Sequence, residues 1–356
     1  MSLRTSIYYY ANQVYEYSFA RLIYGHLGGI FVVRKPNRKL RLQWFLRKSQ
    51  RVRASSPMFQ HPPEILVKDV NHEPFDLPGI LISNSNTVIL RNEAICKTVF
   101  MGHGTGDKKY GGKASDLNTF DYHFVSGLKH LQKMEDLNVQ IPEERLIKIG
   151  NCRFDEIINH EVDVDGYRNY LGIQDNNRKT ILYAPTWKWG DGTLLRYGKQ
   201  FAQELTGEFN LIIRPHYFDR KYISGFKAWA RFRGIKHLYF SNPANILTND
   251  TMYDFAVSDL LLSDTSSILY EYLIVNRPIV VIKNKFDDLH AMPPELDVNT
   301  IASHYDGNIG VNIITVIYNA LENHDPKAYE TMLNNCFYFN DGKSVRRISN
   351  FLESLK

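Results

Sequence analysis

The stretch DLLLSDTSSILYEYLIVNRPIVVIK, residues 259–283, decides the fold of this chain. Its apolar run 260–262 predicts a buried strand that ends in a cluster of small hydroxyl residues. An amphipathic segment follows, and after Arg277-Pro278 the β-branched run 279–282 predicts a second strand. Together these elements predict a strand–turn–helix–strand unit of the kind found in parallel sheets.

The turn in this unit holds Ser263, Asp264, Thr265, Ser266 and Ser267. Hydroxyls and free backbone N–H groups at a helix N-terminus favour an anion, which predicts a phosphate site. The same residue types are the usual N-caps of helices, so a capped helix also explains the turn. From this stretch alone both interpretations stay open.

Strand-type and helical runs alternate in two series along the chain. The predicted strands are 65–70, 79–83, 97–101, 123–126 and 146–149 in the first series, and 180–184, 211–214, 237–240, 260–262 and 279–282 in the second. The clearest predicted helices are 127–137, 198–208, 222–233, 244–255 and 266–275. This alternation predicts an α/β protein with two doubly wound domains, whose ligand lies in the cleft outside the strands' carboxyl ends.

The chain of 356 residues has room for two domains of ordinary size. We predict an N-terminal Rossmann-like domain over residues 61–175 and a C-terminal Rossmann-like domain over 176–325, divided at the polar segment 174–179. C-terminal helices are expected over 326–356.

Residues 1–60 differ from the rest of the chain in charge. They hold eleven Lys or Arg against one acid, Glu16, a local net charge of +10 in a chain whose total is +5. Nine of these basic residues lie between Arg34 and Arg53, interleaved with Trp44 and leucines. This composition predicts a basic aromatic N-terminal arm that contacts an anionic membrane surface. A solvated basic face packed on its own protein and a nucleic-acid contact are the alternatives.

The composition, 44% apolar and 23% charged, is that of an ordinary globular protein. Cys96, Cys152 and Cys336 are widely spaced and form no C-x-x-C pair, which favours reduced thiols in a cytoplasmic protein over disulfides or a zinc site. No run of eighteen apolar residues is present, and the N-terminus does not resemble a signal peptide.

A glycine-rich segment, residues 101–112, reads MGHGTGDKKYGG and follows a predicted strand. Its glycines let the backbone approach a ligand closely. His103 is a candidate proton acceptor, and Lys108 and Lys109 are candidates to compensate phosphate charge. The segment lacks the Walker A pattern, and a mobile surface loop is the alternative.

Three further strand ends carry polar residues. In IIRPH, Arg214 offers a planar fork for phosphate, and His216 is either catalytic or structural. In YAPTW, Trp187 is a possible base platform or, more simply, a core or rim aromatic. In GNCRFD, Arg153 either reaches a phosphate or pairs with Asp155, and we favour the pair.

These motifs resemble the CDP-glycerol glycerophosphotransferases, the teichoic-acid primases and polymerases of bacterial envelopes, in the order HGTGDKK, GNCRFD, ILYAPTW, IIRPH and SDTSSILYEYLIVNRPIVV. The resemblance covers about residues 98–282. It implies a GT-B fold, in which two Rossmann-like domains hold the donor in their cleft. The domain over residues 61–175 would then be the acceptor domain and the domain over 176–325 the nucleotide-donor domain. The resemblance also implies a peripheral location at the inner face of the cytoplasmic membrane.

The resemblance also implies a role for each motif residue. His103 would be the general base on the acceptor hydroxyl, and His216 would bind the donor pyrophosphate or assist the leaving CMP. Ser266 and Ser267 would hold the donor phosphates, and Glu271 would accept hydrogen bonds from the ribose. The other expected donor contacts are Thr186, Arg214, Asp264 and Thr265, and the expected phosphate or acceptor contacts are Gly104, Thr105, Lys108, Lys109 and Arg153.

Three departures from the family pattern bear on the acceptor and the transferred group. Gly106 stands where members usually have proline, Thr265 stands where they have tyrosine, and the match is poor after Lys285.

The implied reaction moves a polyol phosphate from a CDP-alcohol, CDP-glycerol or CDP-ribitol, to a hydroxyl of a lipid-linked or polymeric envelope glycan and releases CMP. No cofactor, metal or nucleic-acid partner is expected. The alternatives are a GT-B glycosyltransferase or 2-epimerase acting on a nucleotide sugar, and a binding protein without catalytic activity.

Overall fold

The computed structural model describes residues 6–12, 16–50, 63–102, 104–109, 113–175, 177–245 and 250–355, with the backbone alone over 45–50. Over these residues the chain forms two parallel β-sheets, one of seven strands and one of six, with helices against them. The two sheets come from successive parts of the chain, which confirms the predicted α/β class with two parallel sheets.

The strands of the first sheet are β1 Ile7–Tyr10, β2 Ile30–Val33, β3 Glu64–Val67, β4 Gly79–Ser83, β5 Cys96–Phe100, β6 Tyr122–Val125 and β7 Leu146–Lys148. Their order across the sheet is β3-β2-β1-β4-β5-β6-β7, and every pairing is parallel. The order reverses direction at β1, as in doubly wound folds.

Strand β1 lies in the middle of this sheet, between β2 and β4. Successive side chains point to opposite faces, and both faces are buried, because Tyr9 packs in one core while Tyr8 and Tyr10 pack in the other. This arrangement corrects the expected separate arm over residues 1–60, since strands β1 and β2 belong to the first sheet and its core. Residues 51–60 lie outside the described part of the chain.

The helices that precede the second sheet in the sequence are α1 Tyr17–Leu27, α2 Pro36–Gln50, α3 Leu128–Asp136, α4 Asp155–Ile158 and α5 Val164–Leu171. Of these, α4 and α5 pack in the core beside the second sheet. Helix α2 carries many of the basic residues of the N-terminal region. Leu40 and Trp44, four residues apart on α2, are 66% and 64% exposed.

The strands of the second sheet are β8 Thr180–Tyr183, β9 Asn210–Ile213, β10 Leu238–Phe240, β11 Leu260–Ser263, β12 Ile279–Ile282 and β13 Ser303–Tyr305. They lie in the order β10-β9-β8-β11-β12-β13, again with parallel pairing throughout. The predicted division at residues 175 and 176 falls between α5 and β8 in the sequence.

The remaining helices are α6 Leu194–Leu205, α7 Ile223–Phe232, α8 Thr251–Val257, α9 Ile268–Glu271, α10 Ile313–Glu322, α11 Pro326–Cys336 and α12 Ser344–Ser354. Helix α11 contacts α3 beside the first sheet and a 3-10 turn, Tyr272–Val275, beside the second. Helix α12 packs against α1. The chain end therefore crosses back and ties the two halves together. In the described part of the chain, no helix has the length and apolar character needed to cross a bilayer.

Candidate active site

A cavity of about 590 Å³ lies between the two sheets, at the carboxyl ends of their strands. The loops after β5, β8, β9 and β11 form much of its wall. Ligands of open α/β sheets bind at this edge, because the loops diverge there and leave a crevice. The volume suits a ligand of nucleotide size.

The serine-rich turn after β11 contributes Ser266 and Ser267 to the cavity wall. Two other residues of this turn point elsewhere, which corrects their expected place as donor contacts. The Thr265 hydroxyl donates to Asn284 Oδ1 (2.9 Å), and the Asp264 carboxylate is fully buried in the protein. Helix α9 after the turn is a single α-helical turn that continues as a 3-10 turn.

The Asp264 carboxylate holds the loop after β8 in place. It accepts hydrogen bonds from Thr186 N (2.7 Å), Thr193 N (2.9 Å) and Thr193 Oγ1 (2.8 Å). Burial raises the pKa of Asp264 to about 6, although these donors favour its charged form. Asp264 therefore positions Thr186, which lines the cavity, from behind.

Arg214 directly follows β9 and lines the cavity, as the strand-end pattern predicts. Its Nη1 donates to Asp254 Oδ2 (2.7 Å) and to Ser241 Oγ (2.8 Å). Tyr167 donates to the other oxygen of Asp254 (2.7 Å). The buried ion pair of Arg214 and Asp254 anchors the Arg214 guanidinium at the cavity wall, since a buried charge needs a close partner.

His216 lies beside Arg214 in the same wall, stacked on Trp187 with ring centroids 5.9 Å apart. Burial, together with the charges of Lys108 and Arg214, lowers the pKa of His216 to about 3. Its Nδ1 accepts a hydrogen bond from the Phe218 backbone N–H (3.3 Å), so the neutral ring carries its proton on Nε2. His216 is thus equipped to donate a hydrogen bond.

The glycine-rich loop after β5 forms the opposite wall and touches the serine turn. A Cβ on Gly106 would lie 2.8 Å from the Ser267 backbone, so only glycine permits this approach. Lys108 Nζ donates to Thr186 Oγ1 (2.5 Å) across the cavity, and Lys109 pairs with Asp288 (3.6 Å). The loop is therefore held between the two halves of the chain.

Two lysines of α3 support this loop, and the sequence patterns miss both. Lys129 pairs with Asp107 and lies over the Tyr270 ring, 3.5 Å from its centroid. Lys133 donates to the Gly106 carbonyl (2.8 Å) and lines the cavity. Burial and the charge of Lys129 lower the pKa of Lys133 to about 7. Their spacing of four residues places them on one side of a helix, but it does not reveal that this side is buried.

Arg153 joins the two halves beneath the cavity. Its guanidinium donates to Glu271 (2.7 Å) and Asp250 (3.0 Å), and Asp250 also receives hydrogen bonds from Arg21 and Ser18 of α1. This corrects the favoured pair of Arg153 with Asp155, whose carboxylate instead accepts from the backbone at the start of α12.

The structure thus brings most of the predicted site residues to one cavity. Gly104, Lys108, Lys109, Arg153, Thr186, Arg214, His216, Ser266, Ser267 and Glu271 all line it. Thr105 lines a smaller adjoining cavity. His103 lies outside the described residues.

The sequence model of the CDP-Glycerol:Poly(glycerophosphate) glycerophosphotransferase family matches residues 12–354. The chain belongs to this family. The match confirms the resemblance read from the motifs and extends it to both halves of the chain, so the protein is a member of a transferase family.

Two curated relatives illustrate the range of the family. A teichoic acid poly(glycerol phosphate) polymerase of Staphylococcus epidermidis is 30% identical over 151 residues, 38% of this chain and 19% of the polymerase. A teichoic acid ribitol-phosphate primase of Bacillus spizizenii is 23% identical over 274 residues, 71% of this chain and 66% of the primase. The chain therefore spans about a fifth of the polymerase and about two thirds of the primase.

Solved structures share the fold. A variant of the wall teichoic acid polymerase TagF superposes with a TM-score of 0.67 at 16% identity, over 99% of this chain and 88% of that chain. A UDP-GlcNAc 2-epimerase from Neisseria meningitidis reaches a TM-score of 0.54 at 13% identity, over 98% and 99% of the two chains. These likenesses confirm the predicted GT-B fold.

Proposed function

We propose that this chain transfers a polyol phosphate from a CDP-alcohol, CDP-glycerol or CDP-ribitol, to a hydroxyl of a lipid-linked or polymeric envelope glycan, with release of CMP. The observation that carries the proposal is the meeting of the serine turn and the glycine loop at one cation-lined cavity. Family membership supplies the reaction class, and a TagF structure obtained after a soak with CDPG concerns a relative with the same fold.

The wall from the second half of the chain suits the donor pyrophosphate. Ser266 and Ser267 present hydroxyls, the anchored Arg214 presents positive charge, and neutral His216 presents an Nε2–H group. Such fixed donors stabilise the charge that develops as CMP leaves, because they need no rearrangement during the reaction.

Lys108 and Lys133 add cationic groups from the first half of the chain. Burial lowers the pKa of Lys108 to about 8, and that of Lys133 is about 7, so an entering phosphate favours their charged forms. Glu271 keeps a place in the cavity wall while Arg153 holds one of its oxygens. We assign it to the ribose hydroxyls.

His103 is our candidate for the general base. In the proposed step it takes the proton of the acceptor hydroxyl as the hydroxyl oxygen bonds to the distal phosphorus of the donor. The phosphoanhydride bond from that phosphorus to the oxygen of CMP breaks as the new phosphoester bond forms, so one P–O bond is exchanged for another and CMP leaves with the bonding electron pair.

A donor panel tests this function. The full chain is incubated with CDP-glycerol, CDP-ribitol and UDP-N-acetylglucosamine, each with a glycan acceptor, and released nucleotides are separated by chromatography. We expect CMP from one or both CDP-alcohols and no product from the UDP-sugar. Release of UDP, or epimerisation of the sugar, would instead assign a nucleotide-sugar activity and overturn the proposal.

We also propose that α2 holds the protein at an anionic membrane surface, next to the cavity mouth. Leu40 and Trp44 are exposed on this helix among basic residues, a composition that suits the lipid headgroup region. Arg41 lies over the ring of Tyr217, 5.4 Å from its centroid, and Tyr217 lines the cavity. A lipid-linked acceptor would therefore be presented close to the donor.

Substitution on α2 tests the membrane proposal better than truncation, because removing the N-terminal residues would also remove β1 from the centre of its sheet. The double variant Leu40→Glu, Trp44→Glu should bind phosphatidylglycerol vesicles at least about tenfold more weakly, because two exposed apolar side chains that would insert into the lipid headgroup region are replaced by acids. Phe232→Glu, on the exposed face of α7, is the matched control. Equal vesicle binding by both proteins would refute this role of α2.

A further inference from the structure

A second, smaller cavity adjoins the main one beneath the glycine-rich loop. Its volume is about 30 Å³, and it shares Phe19, Gly104 and Glu271 with the main cavity. Gly102 and Gly104, the neighbours of His103 in the sequence, both line it. A space of this size accepts a water molecule or a hydroxymethyl group, but not a phosphate.

The lining of the small cavity differs in charge from that of the main cavity. Lysines and arginines line the main cavity, whereas among the described residues no lysine or arginine lines the small one. Its walls combine apolar side chains, such as Phe124 and Ile149, with the polar groups of Ser126 and Asn151. The carboxylate of Glu271 also lines it, but its charge is compensated by the ion pair with Arg153 (2.7 Å). These walls suit a neutral group with a short carbon attachment rather than an anion.

Two side chains of the small cavity have unused hydrogen-bonding atoms. Thr105 and His130 are 9% and 7% exposed, and neither Thr105 Oγ1 nor His130 Nε2 has a hydrogen-bond partner in the described structure. Burial, reinforced by Lys133 and His123, lowers the pKa of His130 to about 3, so its ring is neutral. Buried polar atoms are costly to leave unpaired, which points to a ligand or ordered water here.

A hydroxyl group matches these atoms better than an ion does. It both donates and accepts a hydrogen bond, so it can pair with either tautomer of a neutral imidazole and with a threonine hydroxyl at the same time. We infer that the small cavity is the recognition pocket for the acceptor's terminal hydroxymethyl group, with Thr105 and His130 as its hydrogen-bonding residues. This inference rests on the proposed function.

The assignment gives the two cavities separate tasks. Donor phosphates occupy the cationic cavity, and the attacking hydroxyl enters the neutral one, beside Gly102 and Gly104. The substrate class is an acceptor that ends in a primary hydroxyl, as a glycerol or ribitol unit does. Thr105 and His130 orient that hydroxyl, and the distal phosphorus lies on the other side of Gly104.

Two substitutions in the full chain test this inference. Thr105→Val removes the hydroxyl with little change of shape, and His130→Phe removes the ring nitrogens and narrows the pocket. The matched control is His123→Phe, because His123 is also buried with unpartnered ring nitrogens but lines neither cavity. The probes are CDP-glycerol and a synthetic alkyl-linked glycerol phosphate dimer that ends in a free hydroxymethyl group.

We expect each pocket variant to raise the KM for the dimer by about three- to tenfold, the effect of one lost hydrogen bond. The Kd for CDP-glycerol, measured by calorimetry, should stay unchanged, and His123→Phe should match the wild type. In the wild type, a dimer whose terminal hydroxyl is methylated should compete only weakly with the free dimer. In the pocket variants, the methylated dimer should bind no differently from the free dimer.

An unchanged KM in Thr105→Val would show that the pocket holds ordered water only, and it would overturn the inference even if His130→Phe failed to fold. That result is separate from failure of the proposed function. In the latter case the wild-type chain would release no CMP from any donor, and both conclusions would fall.

Discussion

The two walls of the cleft are built in different ways. The wall from the second half of the chain comes from strand ends whose polar groups are fixed by buried carboxylates, Asp264 behind Thr186 and Asp254 behind Arg214. The wall from the first half is a glycine-rich loop held by lysines of α3 and by contacts to the opposite half. Under the proposed function, the donor wall is therefore fixed by carboxylates of its own half of the chain, whereas the acceptor wall is held in part by contacts to the opposite half.

If separate walls bind the donor and the acceptor, a change in the acceptor wall should affect turnover but not donor binding, and this is the largest expected effect. His103→Ala should lower the rate of CMP release at least about 100-fold, because the general base is lost. The Kd for CDP-glycerol should change less than about twofold, since the donor wall is untouched. Rates come from chromatography and affinities from calorimetry. The control is His72→Ala, an exposed histidine. Near wild-type turnover in His103→Ala would remove this residue from the mechanism.

The donor wall should respond to Asp264→Ala by losing stability. Thr186 N and Thr193 N would be left without their buried acceptor, and the free energy of unfolding should fall by about 3 kcal/mol. Urea denaturation measures this change. Asp259→Ala is the control, because Asp259 is partly exposed and accepts one backbone hydrogen bond from Thr180 N. We expect it to cost about 1 kcal/mol. Equal losses in the two variants would contradict the anchoring role of Asp264.

A single added methyl group at Gly106 should disrupt the contact between the glycine-rich loop and the serine turn. In Gly106→Ala the new Cβ would meet the Ser267 backbone at 2.8 Å, so the loop must move away from the serine turn. An overpacking cost of roughly 1–3 kcal/mol should lower kcat/KM by about tenfold or more. Gly225→Ala, in helix α7 with open space around the new Cβ, should leave kcat/KM unchanged. If both variants behave alike, the contact does not matter for catalysis.

The smallest expected effect is a pH dependence of donor binding. The lowered pKa values, about 8 for Lys108 and about 7 for Lys133, mean that the free protein loses these charges as pH rises from about 6 to about 9. An anionic donor binds the protonated lysines better, so its Kd should rise over this range by roughly fivefold, about 1 kcal/mol of charge attraction. Calorimetry at several pH values measures it. Lys108→Arg keeps its charge over this range and should flatten the dependence of the donor Kd on pH. If the variant and the wild type give parallel profiles, Lys108 is not a cause of the pH dependence.

Sequence patterns predict the donor wall better than the acceptor wall for a structural reason. Ser266, Arg214 and Thr186 each lie at or just after the end of a predicted strand, and parallel strands bring their carboxyl ends to one edge. Lys133 and Asp250 come from helices or their ends, where only packing decides which side faces the cavity. No local pattern distinguishes that side.

Sequence patterns also fail to predict part of the fold near the N-terminus. The patterns predict ten of the observed strands but miss β1, β2 and β13, which are three or four residues long. The basic residues that follow β2 suggested an arm, whereas the three tyrosines of β1 are buried on both faces of the sheet. A strand covered on both faces shows no alternation of polar and apolar residues that would identify it.

By itself, the sequence determined the α/β class, the two-domain pattern, the family and the residues that end each strand, because these depend on local periodicity and on short motifs. Only the tertiary structure decided that Asp264 acts from behind the cavity, that Arg153 pairs with Asp250 and Glu271, and that a neutral pocket adjoins the cationic one. Those features depend on contacts between residues distant in the chain, whose geometry is set by how the two sheets face each other.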